Sequence, residues 1–147
     1  MASLAFQAIL ATGHREMGES LGPDRKPIYD VLFKDIDLPG FVDRPAIVVL
    51  AVRNVDYEKN FITINAPPEA LDQSYDEARN SGYFVWRVLP NPSDSWILQV
   101  HQIDGNKLKA TGNVLGIHSR DINGEHAGLC DAFAVARLFV LYYSSQK

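Results

Sequence analysis

The chain has 147 residues, with 14 Lys or Arg against 18 Asp or Glu, a formal charge of -4 and a sequence pI near 5.5. That length suffices for one core and is too short for two, so residues 1–147 read as a single domain. The charge balance excludes a protein that grips nucleic acid through a clustered basic face, and the 46% apolar fraction excludes a disordered chain.

Met1 to Thr12 lacks a basic leading segment, and the following Gly13-His14-Arg15-Glu16 does not resemble a cleavage site, so no signal peptide is expected. Residues 12–24 read as a long loop, in which His14, Glu16 and Glu19 form a polar group around two glycines. A His beside a carboxylate can move protons, but only when positioned in a cleft, and an open solvated loop is the simpler reading.

Tyr29, Val31 and Phe33 alternate with Asp30 and Lys34, the period-two pattern of a strand with one buried face. Pro45 to Val52 is apolar throughout, which predicts a strand covered on both faces at the centre of the core. Phe61 to Ala66 and Tyr83 to Leu89 read as further strands, and Pro67-Pro68-Glu69 opens a short helix that Gly82 would end. Trp96, Leu98 and Val100 alternate with Gln99 and His101, so the apolar set is expected inside and the polar set outside. Asp104-Gly105-Asn106 then reads as a tight hairpin into a strand from Lys107. Phe133 to Tyr143 is a last strand, although its alanines would also suit a helix, and Arg137 interrupts the 132–143 apolar run well short of a membrane span. The fold class expected is all-β, mainly antiparallel: a two-sheet β-sandwich with at most one short helix.

Candidate chemistry is sparse. His118, Asp121, Glu125, His126, Cys130 and Asp131 include metal-ligating types, but their spacing matches no familiar zinc pattern and only a fragment of a calcium loop, so the segment reads as a solvated turn. Cys130 is the only cysteine; it has no nucleophile signature and no partner for an intrachain disulfide, and a reduced, buried thiol is expected. The Gly-x-Ser-x-Gly elbow and the glycine-rich phosphate loops are absent. Tyr83, Trp86, Arg87, Trp96, Gln99 and His101 combine aromatic faces with planar hydrogen-bonding groups, the chemistry that binds sugars or peptides, although Trp96, on the face of Leu98 and Val100, reads first as a core side chain.

Phe41-x-x-x-Pro45-x-Ile47-x-Val49, Val55-Asp56, Gly82-Tyr83-Phe84-x-Trp86 and Asp94-Ser95-Trp96 together resemble the H-type lectin pattern of snail agglutinins and discoidins, over residues 41–103. The resemblance implies a six-stranded antiparallel sandwich that trimerises and binds N-acetylgalactosamine or related sugars between subunits. It implies ligand-binding positions near Asp56, Arg87, Trp96 and His101. The chain departs from the pattern in the forty-odd residues after the Trp96 strand and in the Pro-rich loop before it.

The function expected is therefore a non-enzymatic ligand-binding β-sandwich, most plausibly for carbohydrate, acting as a homo-oligomer (dimer or trimer). The alternative is a structural assembly protein: a fibre, capsid-associated or appendage subunit. A glycan is the expected ligand; no cofactor, metal, nucleic acid or membrane insertion is expected, and cytoplasmic synthesis is compatible. Self-association is expected through the last strand, with Leu138 and Val140 facing the partner.

Overall fold

A computed structural model describes residues 2–18 and 26–146. They form eight strands: β1 (Ser3–Met17), β2 (Asp30–Ile36), β3 (Ala46–Arg53), β4 (Phe61–Ile64), β5 (Phe84–Arg87), β6 (Ile97–Ile103), β7 (Asn113–His118) and β8 (Phe133–Ser144). Two four-stranded antiparallel sheets result, one ordered β1-β8-β3-β6 and the other β2-β7-β4-β5. First pairs with last, second with seventh, third with sixth and fourth with fifth, which is a long hairpin wound over itself into a jelly roll. The expected all-β sandwich is thus what the chain forms, with eight strands where the lectin resemblance implies six.

The core lies between the sheets. Val48, Leu50 and Val52 of β3, Leu138, Val140 and Tyr142 of β8, Ile62 and Ile64 of β4, and Leu115 and Ile117 of β7 are buried there. β3 is interior to its sheet, between β8 and β6; Val48, Leu50 and Val52 face the opposing sheet, while Ile47 and Val49 lie on the sheet's outer face. The helical segment reduces to a 3-10 turn at Pro68–Ala70 and the one-turn α1 (Tyr75–Ala78), fixed by a capping box between Ser74 and Glu77.

Four sequence expectations are corrected. β6 does alternate, but Gln99, His101 and Ile103 face inward while Leu98 and Val100 are exposed. The Asp104-Gly105-Asn106 segment is a 3-10 turn, not a hairpin, because β6 and β7 belong to different sheets. Gly105 is needed for space: a Cβ there would lie 2.6 Å from the Arg44 carbonyl oxygen. In β8, Arg137 takes φ 50° and the β3 register shifts opposite it, so the strand changes phase. Beyond that bulge Leu138 and Val140 point into the core and Phe139 and Leu141 point out, so Leu138 and Val140 cannot face a partner. Finally, the residue 12–24 loop begins as strand: β1 continues through His14 and Glu16 to Met17. Those two side chains make an exposed pair at 3.5 Å, and Glu19 lies outside the described residues.

Candidate functional site

β5 and β6 are the edge strands of their respective sheets and lie side by side. Between them opens a cleft of about 460 Å³, lined by Phe84, Trp86, Leu89, Val100, His101 and Lys107 among others. A volume of that order suits a small ligand. Trp86 is the exposed aromatic there, with 53% of its surface free.

The polar chemistry of the cleft is set by a short relay. The Leu89 amide donates to Gln99 Oε1 at 2.9 Å, and Gln99 Nε2 donates to the Leu89 carbonyl at 2.6 Å, so the backbone fixes the direction of the Gln99 amide. Gln99 Oε1 is then an acceptor for His101 Nε2 at 3.1 Å, which makes Nε2 the protonated nitrogen. Nδ1 is left with a free lone pair. His101 is only 6% exposed, yet no fully buried side-chain polar atom among the described residues lacks a partner, so Nδ1 is the part of the ring that solvent reaches from the cleft. Burial holds the His101 pKa below the ordinary histidine value, which keeps the ring neutral and accepting. On the rim, Lys107 Nζ spends one proton on the Phe84 carbonyl at 3.2 Å, and Asp104 supplies a carboxylate.

Of the four positions expected from sequence, His101 alone lines this cleft. Trp96 lies under the Arg53 guanidinium, 4.5 Å from its ring centroid, and near His14 of β1. Arg87 ends β5 opposite Phe61, and Asp56 follows β3, its amide donating to Asp131 Oδ2 at 2.9 Å. The four do not form one constellation. Trp86 and Lys107 are the residues that complete the cleft; both stand beside strand edges, a feature that depends on sheet order and not on local pattern.

A second polar cluster sits on the outer face of the β2-β7-β4-β5 sheet. Asp30 Oδ1 accepts from His118 Nδ1 at 2.6 Å, and His118 Nε2 meets Thr63 Oγ1 at 2.7 Å. A hydroxyl, imidazole and carboxylate in series resemble a nucleophilic triad, but Thr63 and His118 are buried beneath the segments around α1 and the 119–131 loop. Arg120, 0% exposed, locks the array: it donates to Asp30 and to the carbonyls of Leu71, Gln73, Tyr29 and Ser119. The cluster is a structural clamp. His126 joins from the outside, 3.3 Å from Asp30 Oδ2 and stacked on Tyr29.

The segment read as a solvated turn is in part buried, and three of its metal-ligating side chains are otherwise engaged or enclosed. Asp121 accepts from the amides of Asn123 and Glu125; Asp131 accepts from Asp56, Tyr57 and Asn60; Cys130 is a buried thiol whose pKa burial raises. Among the described residues no group of three His, Cys, Asp or Glu is arranged to hold a metal ion, and no helix is long and apolar enough to cross a membrane.

The two buried histidines set a pH dependence. Burial depresses the pKa of both, and for His118 it outweighs the Asp30 bond that favours the charged ring. The unfolded chain then binds protons below about pH 6.5 that the folded chain refuses, so stability present at pH 7 falls as pH drops through the histidine range. Asp131, raised by burial, has the opposite sign, but its effect lies lower, in the carboxylate range above the usual 3.8. Thermal midpoints measured from pH 7.5 to 5.5 should decline, and His101→Gln should flatten the slope; a flat profile for the unmodified protein would contradict the assignment.

No protein-family model matches the chain, and no curated protein matches it either.

Proposed function

We propose that the chain is a non-enzymatic binding module that takes a small, neutral, polyhydroxylated ring, of the saccharide class, in the cleft between β5 and β6. The carrying observation is the His101 imidazole, nearly buried, neutral, and left with one unpartnered acceptor beside the exposed Trp86 ring. An acceptor that solvent reaches from the cleft favours a hydroxyl donor, since a ligand that displaces the water and lacks a donor leaves the nitrogen without a bond. The indole face takes the apolar C–H face of a ring, and Asp104 and Lys107 offer acceptors and donors to neighbouring hydroxyls. With one charge of each sign on the rim, a neutral ligand fits better than an anion. Chemistry at the other cluster is disfavoured because its hydroxyl and imidazole, on Thr63 and His118, are buried. Of the residues behind the resemblance to H-type lectins, Phe84 and Trp86 line this cleft, as does His101 of the four ligand positions it implies.

Calorimetric titration with a panel of neutral mono- and disaccharides is the test. Binding should weaken about tenfold or more in Trp86→Ala, given the roughly 0.5–1.5 kcal/mol of an aromatic contact plus its buried area. Trp96→Ala, remote from the cleft, should bind as the unmodified protein does. No heat with any sugar at millimolar concentration, from a folded sample, would refute the reading.

A further inference from the structure

The outer face of the β1-β8-β3-β6 sheet is the largest feature that the cleft leaves unexplained. Register places Leu4 and Phe6 of β1 across from Tyr143 and Leu141 of β8, Leu141 across from Ile47 of β3, and Val49 across from Phe139 on one side and Val100 of β6 on the other. Over this half of the sheet every outward position on four adjacent strands is apolar except Gln102 at one corner, with the Tyr143 hydroxyl as a polar tip. No strand, helix or loop of the described chain roofs it, although the Arg44 guanidinium lies over the Tyr143 ring at its margin: Leu4 is 60% exposed, Phe6 68%, Leu98 63% and Val100 57%. The outer face of the other sheet is, by contrast, roofed by α1 and the 119–131 loop.

We propose that a second copy of this chain covers this face, in a symmetric face-to-face dimer. Three observations favour a copy over a foreign partner. First, the apolar centre of the patch carries no charged side chain and the cations at its margin are engaged, Arg44 over the Tyr143 ring and Arg137 on the Ala11 carbonyl, so two copies bring no pair of charges together at the centre despite the -4 net charge. Second, the size is right. The four most exposed side chains alone present about 400 Å², and with Ala8, Ile47, Phe139, Leu141, Tyr143 and Gln102 the face reaches on the order of 600 Å², at the top of the range for a monomer's largest patch and approaching the roughly 800 Å² per partner of a standard interface. Third, β6, the strand that carries Leu98 and Val100 onto this face, is seven residues without Lys, Arg, Asp, Glu or Pro, so nothing at that margin of the face repels a second copy. Because Val100 and Gln102 also line the β5–β6 cleft, the second copy would stand beside that cleft. The dimer does not depend on a ligand there.

Sedimentation equilibrium on the full chain at about 50 µM should give twice the 16.4 kDa chain mass, and a Phe6→Glu, Leu98→Glu variant should give the single mass with unchanged circular dichroism. Both residues are more than half exposed, so the fold should tolerate the change. If the variant fails to fold, hydrogen exchange on the unmodified protein replaces it: β6 amides should exchange more slowly at high than at low concentration. A clean monomer at 50 µM, a folded variant that stays dimeric, or β6 exchange independent of concentration would each overturn the proposal. Trp86→Ala should leave the mass unchanged, which separates this result from the fate of the sugar reading.

Discussion

Arg120→Met should cost about 3–5 kcal/mol of folding free energy, the usual range for removing one partner of a buried ion pair. The guanidinium is fully buried, lies 5.0 Å over the Phe61 ring, and bonds Asp30 and four backbone carbonyls. Methionine can fill the volume but donates nothing, so those carbonyls lose their donor and Asp30 loses its permanent positive neighbour. Burial opposes the Asp30 charge; the His118 bond and the Arg120 charge together overcome it and hold the carboxyl below its usual pKa. Without Arg120 the carboxylate keeps His118 and His126, each neutral or partly exposed. Lysine should rescue little, because a point charge cannot reproduce the fork that reaches Gln73 and Leu71 at once. Against a typical total of 5–15 kcal/mol, the loss should move the urea midpoint far down or leave the domain partly unfolded. A loss under about 1 kcal/mol would show that water replaces the guanidinium, and the clamp assignment would fail.

Much of the strand content was legible because burial leaves a period. The uninterrupted apolar run at Pro45–Val52 reads as a central strand, and β3 is one, flanked on both sides. What a period cannot supply is absolute direction. In β6 it separates Leu98 and Val100 from Gln99 and His101, but the polar pair goes inside because Leu89, on the opposing edge, offers an amide and a carbonyl to Gln99. A one-residue bulge has the same concealment: the positive φ at Arg137 leaves no mark in the composition of β8 and reverses every side chain after it. β1 was hidden for another reason. As an edge strand with one solvated flank it tolerates His14, Arg15 and Glu16, which read as loop. The site followed the same limits, since Trp86 and His101 meet only through the pairing of two sheet edges, fifteen residues of sequence apart.

Gly18→Ala should be the other severe substitution, and Gly13→Ala its matched control. Both glycines have positive φ, +88° and +71°, so alanine at either pays the left-handed backbone cost of roughly 1–2 kcal/mol. Their surroundings differ. A Cβ at Gly13 meets nothing within 4 Å, whereas at Gly18 it would sit 1.9 Å from the Asp131 carbonyl oxygen and 2.6 Å from Ala132 Cα. Those are backbone atoms, and the backbone there is held: the Asp131 oxygen accepts from Ser119 Oγ, its amide donates to the Arg120 carbonyl, and its carboxylate ties three groups of the 56–60 loop. No rotamer change relieves the overlap. Gly18 is itself fixed by two backbone bonds to Ile28, so β1 would have to lift away from the start of β8. Overpacking adds about 1–3 kcal/mol to the conformational cost, so Gly18→Ala should lose about 3–4 kcal/mol and Gly13→Ala about 1. Equal urea midpoints for the two variants would mean that the close approach of Gly18 to Asp131 is not present in solution.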